Sequence, residues 1–219
     1  MDIAYACFME RVSLTKIALI SPDGLSNIIF SRTLSKILTK KYKAKVFTIS
    51  SLDLYKKQIE KIHSTHINIS MARWISPVLD VIYIFKLFMI LKKIKCDHII
   101  TFTTKPNIYG VIAGKLAGVK SITMAVRGLG QNFNKKNNKI VSNIVRLLYK
   151  LACKLSDTVW FTNPNNLKYF KKKGIIKKKN IILNKNGVDL SIFNSSKVSK
   201  VKMNKVRKEL SIKKNSLIV

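Results

Sequence analysis

The residues best suited to bind an anion stand in two short segments, each of which follows an apolar run. Residues 103–107 read Thr-Thr-Lys-Pro-Asn and combine two hydroxyls, an ammonium and an amide directly before a predicted helix. Residues 127–130 read Arg-Gly-Leu-Gly. Backbone N–H groups at a helix start favour phosphate, and an arginine can hold phosphate through two parallel hydrogen bonds. The two segments therefore predict a site for phosphate and sugar hydroxyls, with Gly128 and Gly130 letting a ligand approach the backbone.

A third segment, Pro22-Asp23-Gly24, follows the first apolar run and offers backbone N–H groups that can hold a phosphate. An ordinary strand-to-helix turn explains it equally well, because only one glycine is present and no GxGxxG pattern occurs. The other two segments also have ordinary explanations. Residues 103–107 are compatible with a capping turn that carries a solvated lysine, and Arg127 is compatible with a structural salt bridge, for example to Asp23.

Several kinds of chemistry have no support in the sequence. No Ser-His-Asp order, Walker sequence or pair of carboxylates is visible. His63 and His66 have no nearby cysteine or carboxylate cluster to complete a metal site, so we expect no metal. The three cysteines lie far apart without a CxxC pair, which fits a reducing cytoplasm rather than a disulfide framework.

These segments are positioned by a repeated unit of a short apolar strand followed by a helix. The strands are predicted at residues 16–21, 45–49, 67–71, 98–102, 121–126, 158–162 and 180–183. The clearest helices are predicted at residues 77–93, 106–117, 139–154 and 164–173, and another helix, capped by Ser26, follows the first strand. Apolar strands between helices are typical of a parallel sheet covered on both faces, which is an α/β, Rossmann-like, doubly wound fold. In such folds ligands bind beyond the carboxyl ends of the strands, where all three segments are expected to lie.

The charge points to polyanionic partners. Lys+Arg is 42 and Asp+Glu is 10, which gives a formal net charge of +32. The basic run Lys168, 171–173, 177–179 and Lys185 contains no acid, and we interpret it either as a solvated face or as a patch for an anionic membrane surface. The apolar stretch 78–91 is too short to span a bilayer, so it either packs on the sheet or dips into the membrane interface. Nucleic acid is disfavoured as a partner because aromatic residues are not interleaved with the basic run.

Two stretches resemble a known family. Residues 105–118 (KPNIYGVIAGKLAG), followed by residues 127–130 and Phe133, look like the middle of the N-terminal domain of retaining GT-B fold glycosyltransferases of the family 4-like group. Residues 186–190 (NGVDL) with Phe193 resemble the interdomain signature of the same family. The group includes enzymes of capsule, O-antigen, lipopolysaccharide and polyprenyl-diphosphate-linked glycan synthesis. The resemblance implies a transferase that moves a sugar from a nucleotide-sugar, a co-substrate rather than a cofactor, to a lipid-linked glycan acceptor. The cysteine pattern and the unopposed lysines predict a cytoplasmic protein, peripheral at the inner face of the cell membrane.

The resemblance assigns roles to residues but does not assign a catalytic residue. Relatives carry other residue types before the Gly-Leu-Gly, so no catalytic role is transferred to Arg127. The implied roles are the acceptor side for Lys105, Asn107, Arg127, Gly128 and Gly130; the donor-phosphate side for Asp23 and Gly24; and the interdomain motif for Asn186, Gly187, Asp189 and Phe193.

The sequence pattern and the resemblance together predict a domain organisation. Residues 1–15 are expected to be an irregular extension, residues 16–195 the acceptor-side domain, and residues 196–219 a linker and the start of a missing donor-binding domain. The family binds the donor with two glutamates about two helical turns apart, and Glu10, Glu60 and Glu209 do not form such a pair. We therefore expect the 219-residue chain to be inactive alone. The alternatives are an inactive remnant of such a gene and a basic nucleic-acid-binding Rossmann-like domain.

Overall fold

The computed structural model describes residues 14–52, 55–128, 139–177, 180–185 and 198–213, together with residues 187, 190, 194, 196 and 216. The chain divides into two compact units, Met1–Lys185 and Asn186–Val219. The boundary predicted at residue 195 lies farther along the chain than this division, and the assignment of domains stays a prediction.

The first unit contains a seven-stranded parallel sheet. Its strands are β1 (Lys16–Ile20), β2 (Lys45–Ser50), β3 (Thr65–Asn68), β4 (His98–Phe102), β5 (Ser121–Val126), β6 (Thr158–Phe161) and β7 (Asn180–Leu183). Their order is β3-β2-β1-β4-β5-β6-β7, and every pair is parallel. The order reverses between β1 and β4, which is the place where doubly wound sheets bind ligands. The predicted α/β Rossmann-like fold is confirmed.

Helices connect the strands. They are α1 (Gly24–Lys40), α2 (Lys56–Ile59), α3 (Pro77–Ile94), a π-helical turn (Pro106–Gly110) continued by α4 (Val111–Leu116), α5 (Lys139–Leu155) and α6 (Pro164–Lys172). The second unit contains α7 (Lys200–Glu209). The sequence pattern missed α2 and α7, because four residues are too few for a helical period and α7 has no buried face. The third strand occurs at Thr65–Asn68 rather than at residues 67–71.

The cap of α1 differs from the prediction. Asp23 is the N-cap, and its carboxylate accepts a hydrogen bond of 2.7 Å from the backbone N–H of Ser26. Ser26 therefore lies inside the helix as the residue that receives the cap, and its predicted role as the capping residue is wrong. A carboxylate at this position also suits the positive end of the helix dipole.

The two faces of the sheet are covered by different helices. One face carries α3, α4, α5 and α6 over a core that includes Ile20, Ile99, Met124 and Phe161. The other carries α1, whose Phe30, Leu34 and Leu38 pack against a smaller core of Leu19, Val46, Phe102 and Ala125. Within the described residues, no helix combines the length and apolar character needed to cross a bilayer.

Candidate functional site

The connection after β4 has unusual backbone geometry at the point where the sheet reverses its order. Thr103 has a φ of 71°, a left-handed conformation that is rare for a β-branched residue. A π-helical turn follows at Pro106–Gly110. Strained residues and π-turns are concentrated at functional sites in proteins. The predicted segment 103–107 therefore has the backbone geometry that is common at functional sites, and it lies at the carboxyl edge of the sheet.

Asn107 is fully buried and ties β4 to β5. Its side-chain oxygen accepts a hydrogen bond of 2.8 Å from the Thr101 hydroxyl, and its side-chain nitrogen donates one of 2.9 Å to the Ala125 carbonyl. Ala125 lies two residues before Arg127, so the amide fixes the strand that carries the arginine. Asn107 itself has no exposed surface, and its role in acceptor binding stays a prediction.

Lys105 is held within the protein. Its Nζ donates to Asp80 Oδ1 at 2.6 Å and to the carbonyls of Ala72 and Trp74 at 2.8 and 2.7 Å. These contacts use all three N–H groups of the ammonium. Asp80 is itself buried and also accepts a hydrogen bond from Tyr109. Lys105 thus anchors the segment before α3, and its role in acceptor binding stays a prediction.

The glycines of the 105–118 segment allow close packing of helix on sheet. A Cβ at Gly110 would lie 2.8 Å from Thr101 Cγ2, and one at Gly114 would lie 2.5 Å from Ile99 Cδ1. Gly118 has a φ of 74° and ends the helical segment in the left-handed conformation. Much of the motif that carries the family resemblance therefore serves to place the chain after β4 closely against the sheet.

Arg127 lies among three aromatic rings at the carboxyl end of β5. Its guanidinium carbon is 4.4 Å from the centre of the Phe30 ring, 5.5 Å from that of Trp160 and 5.6 Å from that of Phe102. Phe30 comes from α1, Phe102 from the end of β4, and Trp160 from β6. The arginine is therefore placed by elements on both sides of β5, and aromatic faces stabilise its charge.

The Arg127 side chain is half-buried. Within the described residues it forms no ion pair, and its Nε has no hydrogen-bond partner. Burial lowers the pKa of Arg127, which indicates an environment that disfavours an uncompensated cation. The alternative of a salt bridge to Asp23 is not realised: the ion pairs of the described residues do not join these two side chains, and the Asp23 carboxylate caps α1. Such a cation at the carboxyl edge of a parallel sheet can bind a phosphate or a carboxylate.

Gly24 is enclosed by protein. A Cβ there would lie 3.1 Å from Ile59 Cδ1, from the Leu52 carbonyl oxygen and from Tyr55 Cβ. The chain after β2 thus approaches residue 24 so closely that only glycine fits without displacement. This packing is a sufficient explanation for a glycine at this position. Contact of Asp23 and Gly24 with donor phosphates stays a prediction.

The other predicted site residues are described only in part. Gly128 is exposed beside Arg127, and Gly187 is exposed in the second unit. Gly130, Asn186, Asp189 and Phe193 lie outside the described residues, so the structure does not place the interdomain motif. No group of three or more His, Cys, Asp or Glu side chains that could hold a metal occurs in the part of the chain that the structure describes.

The sequence reasoning missed the three rings around Arg127. Trp160 alternates with the buried Val159 and Phe161 along β6, so its side chain lies on the α1 face of the sheet, as does that of Arg127. This alternation is visible in the sequence and could have paired Trp160 with Arg127. Phe102 follows the same alternation along β4, where Ile100 and Phe102 lie on the α1 face. Phe30 carried no comparable signal, because its contact with Arg127 depends on how α1 crosses the sheet.

A doubly wound parallel sheet, with a partly desolvated arginine at the carboxyl end of a strand beside its switch point, defines a Rossmann-like domain. The chain belongs to the "Glycosyl transferase 4-like" family, whose model matches residues 16–163. It has the fold of one half of a GT-B glycosyltransferase, as its structural neighbours show.

Two curated relatives extend this comparison. The chain is 26% identical over 207 residues to N,N'-diacetylbacillosaminyl-diphospho-undecaprenol alpha-1,3-N-acetylgalactosaminyltransferase of Campylobacter jejuni, covering 93% of this chain and 55% of that protein. It is 28% identical over 149 residues to UDP-Gal:alpha-D-GlcNAc-diphosphoundecaprenol alpha-1,3-galactosyltransferase of Escherichia coli, covering 68% of this chain and 37% of that protein. The chain thus spans about half the length, or less, of these relatives.

Solved structures show the same fold at low sequence identity. HepE of Anabaena, solved with UDP and glucose, has a TM-score of 0.65 and 16% identity, with 90% of this chain and 50% of that chain covered. A glycosyltransferase of Rickettsia africae has a TM-score of 0.62 and 15% identity, with 93% and 51% covered. The predicted resemblance to the N-terminal half of this class is confirmed.

Proposed function

We propose that this chain is the acceptor-binding half of a retaining glycosyltransferase that moves a sugar from a nucleotide-sugar to a diphosphate-linked lipid glycan. Membership in the glycosyl transferase 4-like family supports sugar transfer, and the names of both curated relatives describe diphospho-undecaprenol acceptors. None of these names describes nucleic-acid binding, so the basic nucleic-acid-binding alternative is not favoured.

One observation carries the acceptor assignment. Arg127 places a half-buried guanidinium, without an acidic partner among the described residues, at the carboxyl end of a central strand. A diphosphate supplies the missing negative charge and matches the planar donor geometry of the guanidinium. The rings of Phe30, Phe102 and Trp160 hold the guanidinium in place before a ligand arrives, which reduces the entropy lost on binding.

The chemistry of transfer requires a second half. The three glutamates of the sequence, Glu10, Glu60 and Glu209, do not provide the paired acids that the family uses to bind the donor. We therefore propose that the 219-residue chain binds the acceptor but does not catalyse sugar transfer. We also propose that residues 196–219 lead towards a donor-binding domain. An assay with radiolabelled nucleotide-sugars and membrane lipid acceptor is expected to show no sustained transfer by the chain alone.

We also propose that the protein attaches peripherally to the inner face of the cell membrane, where a lipid-linked acceptor is present. The basic side chains of the run 168–185 that the structure describes are all exposed: Lys168, Lys171, Lys172, Lys173, Lys177 and Lys185. Lysines near an anionic surface contribute about 1 kcal/mol each, and salt screens this attraction.

The acceptor assignment is tested with farnesyl diphosphate as a soluble probe, followed by titration calorimetry. Wild-type chain is expected to bind it more tightly than farnesol, which has the same prenyl chain without phosphate. Arg127→Lys keeps the charge but loses the planar fork, so it is expected to weaken binding, and Arg127→Ala should weaken it by about 1.5–3 kcal/mol. Equal binding of farnesyl diphosphate by wild-type chain and both variants would show that Arg127 does not bind the diphosphate.

A further inference from the structure

Helices α3 and α5 each expose an apolar stripe with the same spacing. On α3 the stripe consists of Val78, Ile82, Phe85 and Met89, and on α5 it consists of Ile140, Ile144, Leu147 and Leu151. Both follow the pattern i, i+4, i+7 and i+11, which is a straight line along one side of an α-helix. The eight residues are between 42% and 70% exposed. We call these eight residues the apolar stripes.

Both stripes point away from the sheet. The buried residues of α3 include Tyr83, Leu87 and Leu91, and those of α5 include Val145 and Tyr149. At 3.6 residues per turn these positions lie on the opposite side of each helix from the stripes. All of them belong to one core on the same face of the sheet, and α4 contacts both α3 and α5 from its place between them. The stripes therefore lie on the outer surface of one helical layer, where α4 adds the exposed Leu116.

The exposed charges on this layer are all basic. They are Lys86, Lys92 and Lys93 on α3, Lys115 on α4, and Lys139, Lys150 and Lys154 on α5. The one acidic residue within these three helices, Asp80, is buried against Lys105. Long lysine side chains beside apolar stripes can reach phosphate groups while the apolar side chains enter a less polar phase.

A groove at the C-terminal end of the α5 stripe also combines apolar lining with lysines. It has a volume of about 490 Å³ and lies between α5 and the segment after α6. Leu147, Leu151 and Ile176 contribute apolar lining, and Lys150 and Lys177 lie along it. An apolar groove bordered by cations fits a lipid chain whose phosphate stays at the rim.

We propose that the outer surface of the α3–α5 layer docks onto the headgroup–acyl boundary of an anionic lipid bilayer, with the apolar stripes inserted and the lysines on lipid phosphates. The proposal rests on the proposed function, because a lipid-linked acceptor presents its diphosphate at this boundary. A second copy of the chain is a poor occupant, since it would bring lysines against lysines across the interface. Trp74, which is 74% exposed just before α3, is the residue type enriched at membrane interfaces.

The first test is co-sedimentation of the full chain with vesicles of phosphatidylglycerol and phosphatidylethanolamine. The variant carries Phe85→Ser and Ile144→Ser, one change in each stripe, and its thermal unfolding is recorded to confirm folding. We expect its vesicle affinity to fall at least about tenfold, since each substitution removes a large inserted side chain. The matched control is Ile29→Ser, an equally exposed isoleucine on α1 at the opposite face, which should bind as the wild type does. Equal binding by the stripe variant and the wild type would overturn the proposal.

Ionic strength and fluorescence provide independent readouts. In 1 M salt, where the Debye length is about 3 Å, binding should weaken but persist through the stripes. In a Trp160→Phe background, Trp74 should be quenched by brominated lipid, and its failure to be quenched would contradict the proposed orientation. Concentration-dependent dimerisation that the stripe variant abolishes, without vesicle binding by the wild type, would identify a second copy as the occupant. The stripe variant should still bind farnesyl diphosphate in solution, so failure of docking and failure of the acceptor assignment are distinguishable.

Discussion

The guanidinium carbon of Arg127 lies 4.4 Å from the centre of the Phe30 ring. This contact joins the carboxyl end of β5 to α1. Phe102 lies in the small core between these two elements, and its ring also faces the guanidinium. The Phe30 ring therefore fixes both the position of the arginine and the distance between α1 and the sheet. The interaction can be measured separately from ligand binding.

A double-mutant cycle of Phe30→Leu and Arg127→Met measures this contact. We expect a coupling free energy of about 0.5–1 kcal/mol in urea unfolding, which is the range for a cation over an aromatic face at a partly exposed site. Phe85→Leu, at an exposed ring on the other side of the sheet, is the matched control and should show no coupling to Arg127→Met. A coupling near zero for Phe30 would mean that the two side chains are neighbours without a stabilising interaction.

Lys105→Met should destabilise the chain strongly because it leaves Asp80 buried without its cation. The pair is 2.6 Å apart, and the two side chains are only 14% and 6% exposed. Breaking a buried pair costs about 3–5 kcal/mol in the free energy of unfolding. Lys115→Met removes an exposed ion pair of 3.9 Å to Asp157 and should cost less than about 1 kcal/mol. Similar losses in the two variants would mean that the Asp80 pair is not the anchor of the segment before α3.

Gly110→Ala should lower the free energy of unfolding by about 1–3 kcal/mol through overpacking. The new methyl group would lie 2.8 Å from Thr101 Cγ2, and Thr101 cannot rotate without losing its hydrogen bond to Asn107. Gly128→Ala is the matched control, since no atom lies within 4 Å of the position that a Cβ would take there. Urea denaturation of both variants compares the two sites, and an unchanged midpoint for Gly110→Ala would refute the packing argument.

His66 should make the chain sensitive to mild acid. Burial lowers the pKa of His66 below 6.5 in the folded state, so the unfolded chain binds a proton more readily. Its contribution to stability is fully present above the unfolded-state pKa, and it is lost as the pH falls from that value through the lower folded-state pKa. Unfolding free energies measured from pH 7.5 down to about pH 5.5 should therefore decline less in His66→Gln than in the wild type. The same substitution at the exposed His63 is the control, and identical slopes for His66→Gln and wild type would contradict the assignment.

The fold was predictable from sequence because each strand–helix repeat carries the same local signal, a short apolar run that ends at a turn. The strands His98–Phe102, Ser121–Val126 and Asn180–Leu183 have the predicted bounds, since continuous apolar runs end there at polar or glycine-containing turns. The π-helical turn at Pro106–Gly110 was missed, because its hydrogen bonding departs from the α-helical pattern without a sequence period of its own.

The site was predictable by position but not by role. Parallel strands bring their carboxyl ends to one edge, so the segments at 103–107 and 127–128 were correctly expected there. Whether Lys105 faces a ligand or Asp80 depends on a partner 25 residues away in the sequence. That pairing exists only once α3 has packed on the sheet, so residue type and spacing did not reveal it.

Asn107→Leu should separate the structural role of the buried amide from ligand contact. The substitution leaves the Ala125 carbonyl and the Thr101 hydroxyl without their partner, and each buried group left unsatisfied costs about 1–3 kcal/mol. Because Ala125 lies two residues before Arg127, farnesyl diphosphate binding should weaken as well, through a displaced strand end. Thr101→Val is the matched control: it removes one of the two hydrogen bonds and keeps the amide on the Ala125 carbonyl, so it should lower stability while leaving probe affinity near that of the wild type. Urea unfolding and calorimetric titration of both variants measure the two effects, and equal loss of probe affinity in both would show that Asn107 does not act through Ala125.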